Sequence, residues 1–127
     1  LYHLFLVVIG GGLGAGGRHL VSLATLRLFG PGFPVGTMTV NVAGSLIMGL
    51  FIGWLVKHEA AHLQPLRYFL ATGVLGGFTT FSAFSLDTAV LWERGDVQLA
   101  LIYVLGSVVL SILGVFAGLM LMRLGGA

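Results

Sequence analysis

Four long stretches of this chain carry no charge, and the polar positions between them mark where it turns. Residues 1–17, 35–56, 68–86 and 97–122 contain no Asp, Glu, Lys or Arg. A helix needs about 20 mainly apolar residues to cross a hydrocarbon core. Each run therefore predicts one membrane span, the first continuing through Arg18 to Leu28. Gly30, Pro31, Gly32 and Pro34 form the turn before the second. Tyr2, Trp54, Tyr68 and Trp92 fall near span ends, where amphipathic rings suit the headgroup region. Every backbone group in lipid needs an internal partner, which packed helices provide. The fold class expected is all-α: four transmembrane helices in a single domain over residues 1–127. The first run lacks a charged leader and a small-residue cleavage site, so it is expected to be a retained helix.

Composition agrees and removes several functions. With 57% hydrophobic and 8% charged residues, the chain cannot cover a soluble core with polar surface. No cysteine is present, which excludes disulfides, thiol catalysis and thiolate metal sites. The net charge of +2 arises from scattered residues, and no basic run suggests nucleic acid. Four spans place both termini on the side of Lys57, Arg67 and Arg123, opposite Arg27 and Arg94 with Arg18 nearby. Three basic residues then stand on each side, and the positive-inside rule expresses no preference. Such a chain could insert both ways up and pair antiparallel with its own copy. Small residues at four-residue spacing (Gly10 and Gly14, Gly12 and Gly16, Gly49 and Gly53, Gly114 and Gly118, Ser107 and Ser111) let helix backbones approach, within one subunit or across a dimer.

Two literal motifs are set aside. Gly12-Leu13-Gly14-Ala15-Gly16-Gly17 matches GxGxxG, but a dinucleotide site needs it between a strand and a helix, with an acid about 20 residues on. Here it lies inside an apolar helix, and helix packing explains it better. His58-Glu59-Ala60-Ala61-His62 matches HExxH, which can hold zinc on a helix. It falls in the short link between spans with no evident third ligand, so a hydrated loop is the expectation.

The third span carries the candidate chemistry. Gly76, Gly77, Thr79 and Thr80 are poor helix formers at mid-membrane depth, and they predict a break near the midplane, the alternative being a continuous helix that uses its glycines for packing. A break would free main-chain carbonyls and amides, the device by which discontinuous helices hold ions. Phe81 and Phe84 then share a face, as do Ser82 and Ser85. Phenyl ring edges are electropositive, and hydroxyls donate, so this set could contact an anion. Asn41, deep in the second span, is either a neutral donor to an anion or an interhelical hydrogen bond. Tyr103, Ser107 and Ser111 form a polar stripe on the fourth span, suited to pore lining or helix contact.

Gly36-Thr37-Met38-Thr39-Val40-Asn41 and the run from Gly73 through Gly76-Gly77-Phe78-Thr79-Thr80-Phe81-Ser82-Ala83-Phe84-Ser85 resemble the Fluc (CrcB) fluoride channel family, and the likeness covers essentially the whole chain. The resemblance implies an antiparallel, dual-topology homodimer with two pores that passes fluoride passively across the cell membrane and relieves fluoride toxicity. It implies a fluoride pathway formed by Asn41, Phe81, Phe84, Ser82, Ser85, Ser107 and Tyr103, with Arg18 drawing anions to a vestibule. It also implies a structural sodium ion (Na+) at the dimer centre on the Gly76 and Thr79 carbonyls. Val115 departs from the pattern, standing where a hydroxyl residue is expected to complete the track. A small multidrug transporter is the nearest rival, but it needs a carboxylate deep in the first span, which has none; Asp87 lies near a span end. A packing subunit without transport is the third alternative. The expected partners are fluoride, a second copy and the lipid bilayer, and no enzyme activity is expected.

Overall fold

The computed structural model describes residues 1–58 and 61–125. Helix α1 runs Tyr2–Phe29 and α2 runs Val35–Lys57. A short 3₁₀ turn, Ala61–Leu63, leads into α3 (Gln64–Arg67). The chain continues through wide π-type turns over Tyr68–Leu75 into α4 (Gly76–Phe78), breaks, and resumes as α5 (Ser82–Glu93) before α6 (Val97–Leu124). The four units Tyr2–Phe29, Val35–Lys57, Gln64–Glu93 and Val97–Leu124 are each long and apolar enough to cross a membrane. At 28 residues, α1 and α6 are each about 42 Å long, more than a hydrocarbon core requires.

The third span is longer than its uncharged run because Pro65 does not end it. Proline sits in the first turn of α3, where its missing N–H has no helical partner to lose. The span ends at the turn around Gly95, whose φ of +88° lets the Asp96 amide reach back to Leu91 O at 2.9 Å.

Contacts at the helix ends fix an up-down arrangement. The Arg94 guanidinium donates to Gly32 O at 2.8 Å and pairs with Asp96, tying the α1–α2 and α5–α6 turns together. At the other end, Lys57 Nζ donates to Met122 O at 2.9 Å, and His3 stacks on Tyr68 with ring centroids 4.6 Å apart. Both ends of the described chain thus lie beside the link that follows α2.

Glycine determines which helices meet. A Cβ on Gly118 would stand 2.5 Å from the Leu50 nitrogen and 2.8 Å from the Gly49 carbonyl carbon, so α2 and α6 touch backbone to backbone. Gly10 and Gly14 do the same for α1 against the third span: a Cβ on Gly14 would lie 2.7 Å from the Phe78 nitrogen. Three of the four glycine pairs are consumed inside the subunit, and only Gly12 and Gly16 face open space. Apolar side chains, among them Leu4, Leu13, Leu105 and Phe116, cover the outside. A helix apolar on all sides belongs in lipid or in a core. The chain is a multi-pass membrane protein.

Candidate functional site

The third span breaks at Thr79–Phe81, in the middle of Gln64–Glu93. Gly76 and Gly77 remain helical, so the break falls just after the glycines. Thr79 is extended (φ −89°, ψ 159°), and the hydrogen-bond ladder is rerouted around it. Leu75 O accepts from both the Thr79 amide, at 3.0 Å, and the Thr79 hydroxyl, at 2.9 Å. The Thr80 amide, which in a helix would donate to Gly76 O, donates instead to Asn41 Oδ1 at 2.7 Å. Asn41 Nδ2 donates back to Thr80 O at 2.9 Å. The Ala83 amide, due to Thr79 O, donates to Thr80 Oγ1 at 3.1 Å. The rerouted Thr80 and Ala83 amides leave the Gly76 and Thr79 carbonyls without their helical donors, and the Gly77 and Phe78 carbonyls between them likewise receive no helical amide among the described residues.

Of these, the Gly77 carbonyl is taken by Arg18, whose Nε donates to it at 3.2 Å. Arg18 is the 17th residue of a 28-residue helix, so it sits beside the break and away from the helix end. It does not line the cavity described next.

Beside the break lies a groove of about 480 Å³ between α2, the third span and α6. Asn41, Gly76, Thr79, Phe81, Phe84 and Ser107 line it, with Ser45, Thr80, Ser111 and Val115 among the remaining wall residues. No charged side chain is among them. The Phe81 and Phe84 rings stand 5.7 Å apart at 52°, Phe84 buried and Phe81 78% exposed. Ser107 is only 4% exposed, and its hydroxyl, like that of Ser111, has no hydrogen-bond partner among the described residues. Buried hydroxyls normally have partners, so these two stand out.

The other site candidates lie apart from the groove. Ser82 and Ser85 are exposed on α5; Ser85 Oγ donates to Phe81 O at 3.0 Å, and Ser82 Oγ lies 3.3 Å from Thr80 Oγ1. Tyr103 is wholly buried one turn from Ser107, packed on Phe84 at 5.1 Å and edge-on to Phe33, with its hydroxyl donating to Asp87 at 3.0 Å. Asp87 borders a second cavity of about 350 Å³ near the α1–α2 turn, together with Ser22, Thr25, Thr37 and Arg94. Sequence reasoning did not include Ser45 or Thr80 in the site. Ser45 was legible as the residue one helical turn beyond Asn41. Thr80 was not, because its part is played through its backbone and a local cap. Glu59 and Ala60 of the HExxH segment lie outside the described residues; α2 ends at Lys57, and His58 Nδ1 lies 2.9 Å from Trp54 O. No group of three or more metal-binding side chains occurs among the described residues.

Comparison with known proteins agrees with this architecture. Residues 5–119 match the family model described as CrcB-like protein, Camphor Resistance (CrcB). The chain is 58% identical over 118 residues to fluoride-specific ion channel FluC 2 of Nitrobacter hamburgensis, covering 93% of this chain and 94% of that one. It is 53% identical over 123 residues to FluC of Mesorhizobium japonicum, covering 97% and 98%. It is 57% identical over 118 residues to FluC of Paracoccus denitrificans, covering 92% of each. These relatives are named as ion channels and not as enzymes. A match over nearly the whole length, joined to four spans and a broken third helix, means that the chain belongs to the CrcB family of fluoride-specific ion channels.

Proposed function

We propose that this protein is a fluoride-selective channel that lets fluoride leave the cell passively across the cell membrane and so relieves fluoride toxicity. The observation that carries the reading is the pair of partnerless hydroxyls, Ser107 and Ser111, on a groove with Asn41 and two phenylalanine rings but no charge. A compact anion leaving water needs neutral donors and positive ring edges at short range. A wall acid would repel it, and a wall base would hold it too long. Purified protein in liposomes is expected to release fluoride without ATP or a proton gradient. Chloride release at the same rate would overturn the reading.

The working unit in this reading is an antiparallel homodimer with two pores, each lined by both subunits. Gly76 and Phe81 are exposed in the protomer at the middle of a membrane span, where lipid offers a carbonyl no donor. A second copy would cover them. A two-fold axis through the break would bring together four carbonyls, from Gly76 and Thr79 of each subunit. Neutral oxygens of this kind fit a hard monovalent cation such as sodium. Bound there, the cation would lower the electrostatic cost of anions in the flanking pores. The Thr79 hydroxyl donates to Leu75 O, whereas its main-chain oxygen has lost its helical donor and is the ligand in this reading.

A further inference from the structure

We propose that Asn41 and Thr80 are the positioning residues that hold the third span broken and thereby present the Gly76 and Thr79 carbonyls. The inference rests on the cation reading above and extends it to the side chains that create the site. Asn41 takes both hydrogen-bonding groups of the Thr80 residue, accepting its amide at 2.7 Å and donating to its carbonyl at 2.9 Å. Every hydrogen bond the Thr80 backbone makes is thus answered from another helix. Its amide has one obvious alternative acceptor, Gly76 O, four residues back. Where no water competes, a Thr80 amide released by Asn41 returns to Gly76 and closes the ladder. The Thr80 hydroxyl acts in the same way one step on. By accepting the Ala83 amide at 3.1 Å it caps α5 from within the break and leaves Thr79 O without its helical donor. Each of the two carbonyls proposed as ligands therefore traces to one named side-chain group.

This assigns Asn41 work besides anion contact. One of its two amide hydrogens is spent on Thr80 O, so at most one remains for the groove. Arg18 contributes as well: by binding Gly77 O it satisfies one of the two carbonyls that lie between the presented ones.

The test is the sodium dependence of thermal unfolding for the full chain in detergent, comparing sodium chloride with N-methylglucamine chloride. The wild type is expected to melt higher in sodium, and Thr80→Ser, which keeps the hydroxyl, is expected to show the same sodium midpoint. Thr80→Val, which gives up the bond to the Ala83 amide, is expected to need about tenfold more sodium for half the shift, and Asn41→Leu, which gives up two bonds to Thr80, at least as much. Thr80→Val matches threonine in shape, so it keeps the test valid if Asn41→Leu fails to fold. Wild-type sodium midpoints in both variants would overturn the proposal, even if fluoride flux were lost, because Asn41 would then act on the anion alone. A wild type indifferent to sodium would remove the cation reading itself, and this proposal with it.

Discussion

Phe81 and Phe84 look alike in the sequence and differ in the fold. Phe84 is packed between Phe81 and Tyr103, whereas Phe81 stands out from the protomer. Isoleucine at either position keeps bulk and removes the positive ring edge. Fluoride flux in liposomes is expected to fall about tenfold for each, the rate equivalent of about 1.4 kcal/mol, which is within the worth of an aromatic edge contact. Phe84→Ile should also cost up to about 1.5 kcal/mol of stability, because it alone is core. Unchanged flux in both variants would reduce the rings to packing. Thr79 offers a second contrast. Its hydroxyl donates back to Leu75 O within its own span, so Thr79→Ala should leave flux closer to wild type than Gly76→Val, whose side chain would crowd the presented carbonyl. The opposite order would mean that the hydroxyl, and not the main chain, is the ligand.

At the scale of elements, the glycine pattern decides helix partners through distance. Ala in place of Gly118 puts a methyl group 2.5 Å from the Leu50 nitrogen, and this contact is with backbone, which cannot swing aside. Such overpacking should cost about 1–3 kcal/mol, read as a lower melting temperature. Gly12→Ala meets nothing within 4 Å and should leave the subunit's own melting unchanged. Equal losses at both positions would contradict the α2–α6 contact as the tight one. The wide π-type turns over Tyr68–Leu75 had no signal in the sequence. They lie where the third span presses on Gly10 and Gly14 of α1, and such turns are frequent beside functional breaks.

For the whole molecule, the structure refines the charge balance from which dual topology was inferred. Lys57, Arg67 and Arg123 stand at one end and Arg27 and Arg94 at the other, while Arg18 is held against Gly77 inside the bundle. A difference of one basic residue remains small, and the proposal of insertion in both orientations stands on it. Reporter fusions at the C-terminus should find both orientations, and two added lysines in the α1–α2 turn should lock one. A wild-type chain found in a single orientation would end that proposal.

Hydropathy alone determined the four spans, because the cost of a charge in hydrocarbon leaves long uncharged runs wherever a helix must cross. Poor helix formers at mid-span likewise announced the break, whereas the polar stripe of Tyr103, Ser107 and Ser111 suited pore lining or helix contact, and only Ser107 and Ser111 of it line the groove. What the sequence left open was where each polar group would find its partner. Asn41 had two possible roles, and only the approach of α2 to the break brings its amide to Thr80. Ser85 was legible as sharing a face with Ser82, and Arg18 as a charge near one side, but not that the one hydroxyl turns to Phe81 O and the guanidinium to Gly77 O. Composition and periodicity act through each residue's own preference for lipid or helix, so they are legible locally. Hydrogen bonds across 39 or 59 positions of chain exist only after close backbone packing, here enabled by glycine, has set which helices touch.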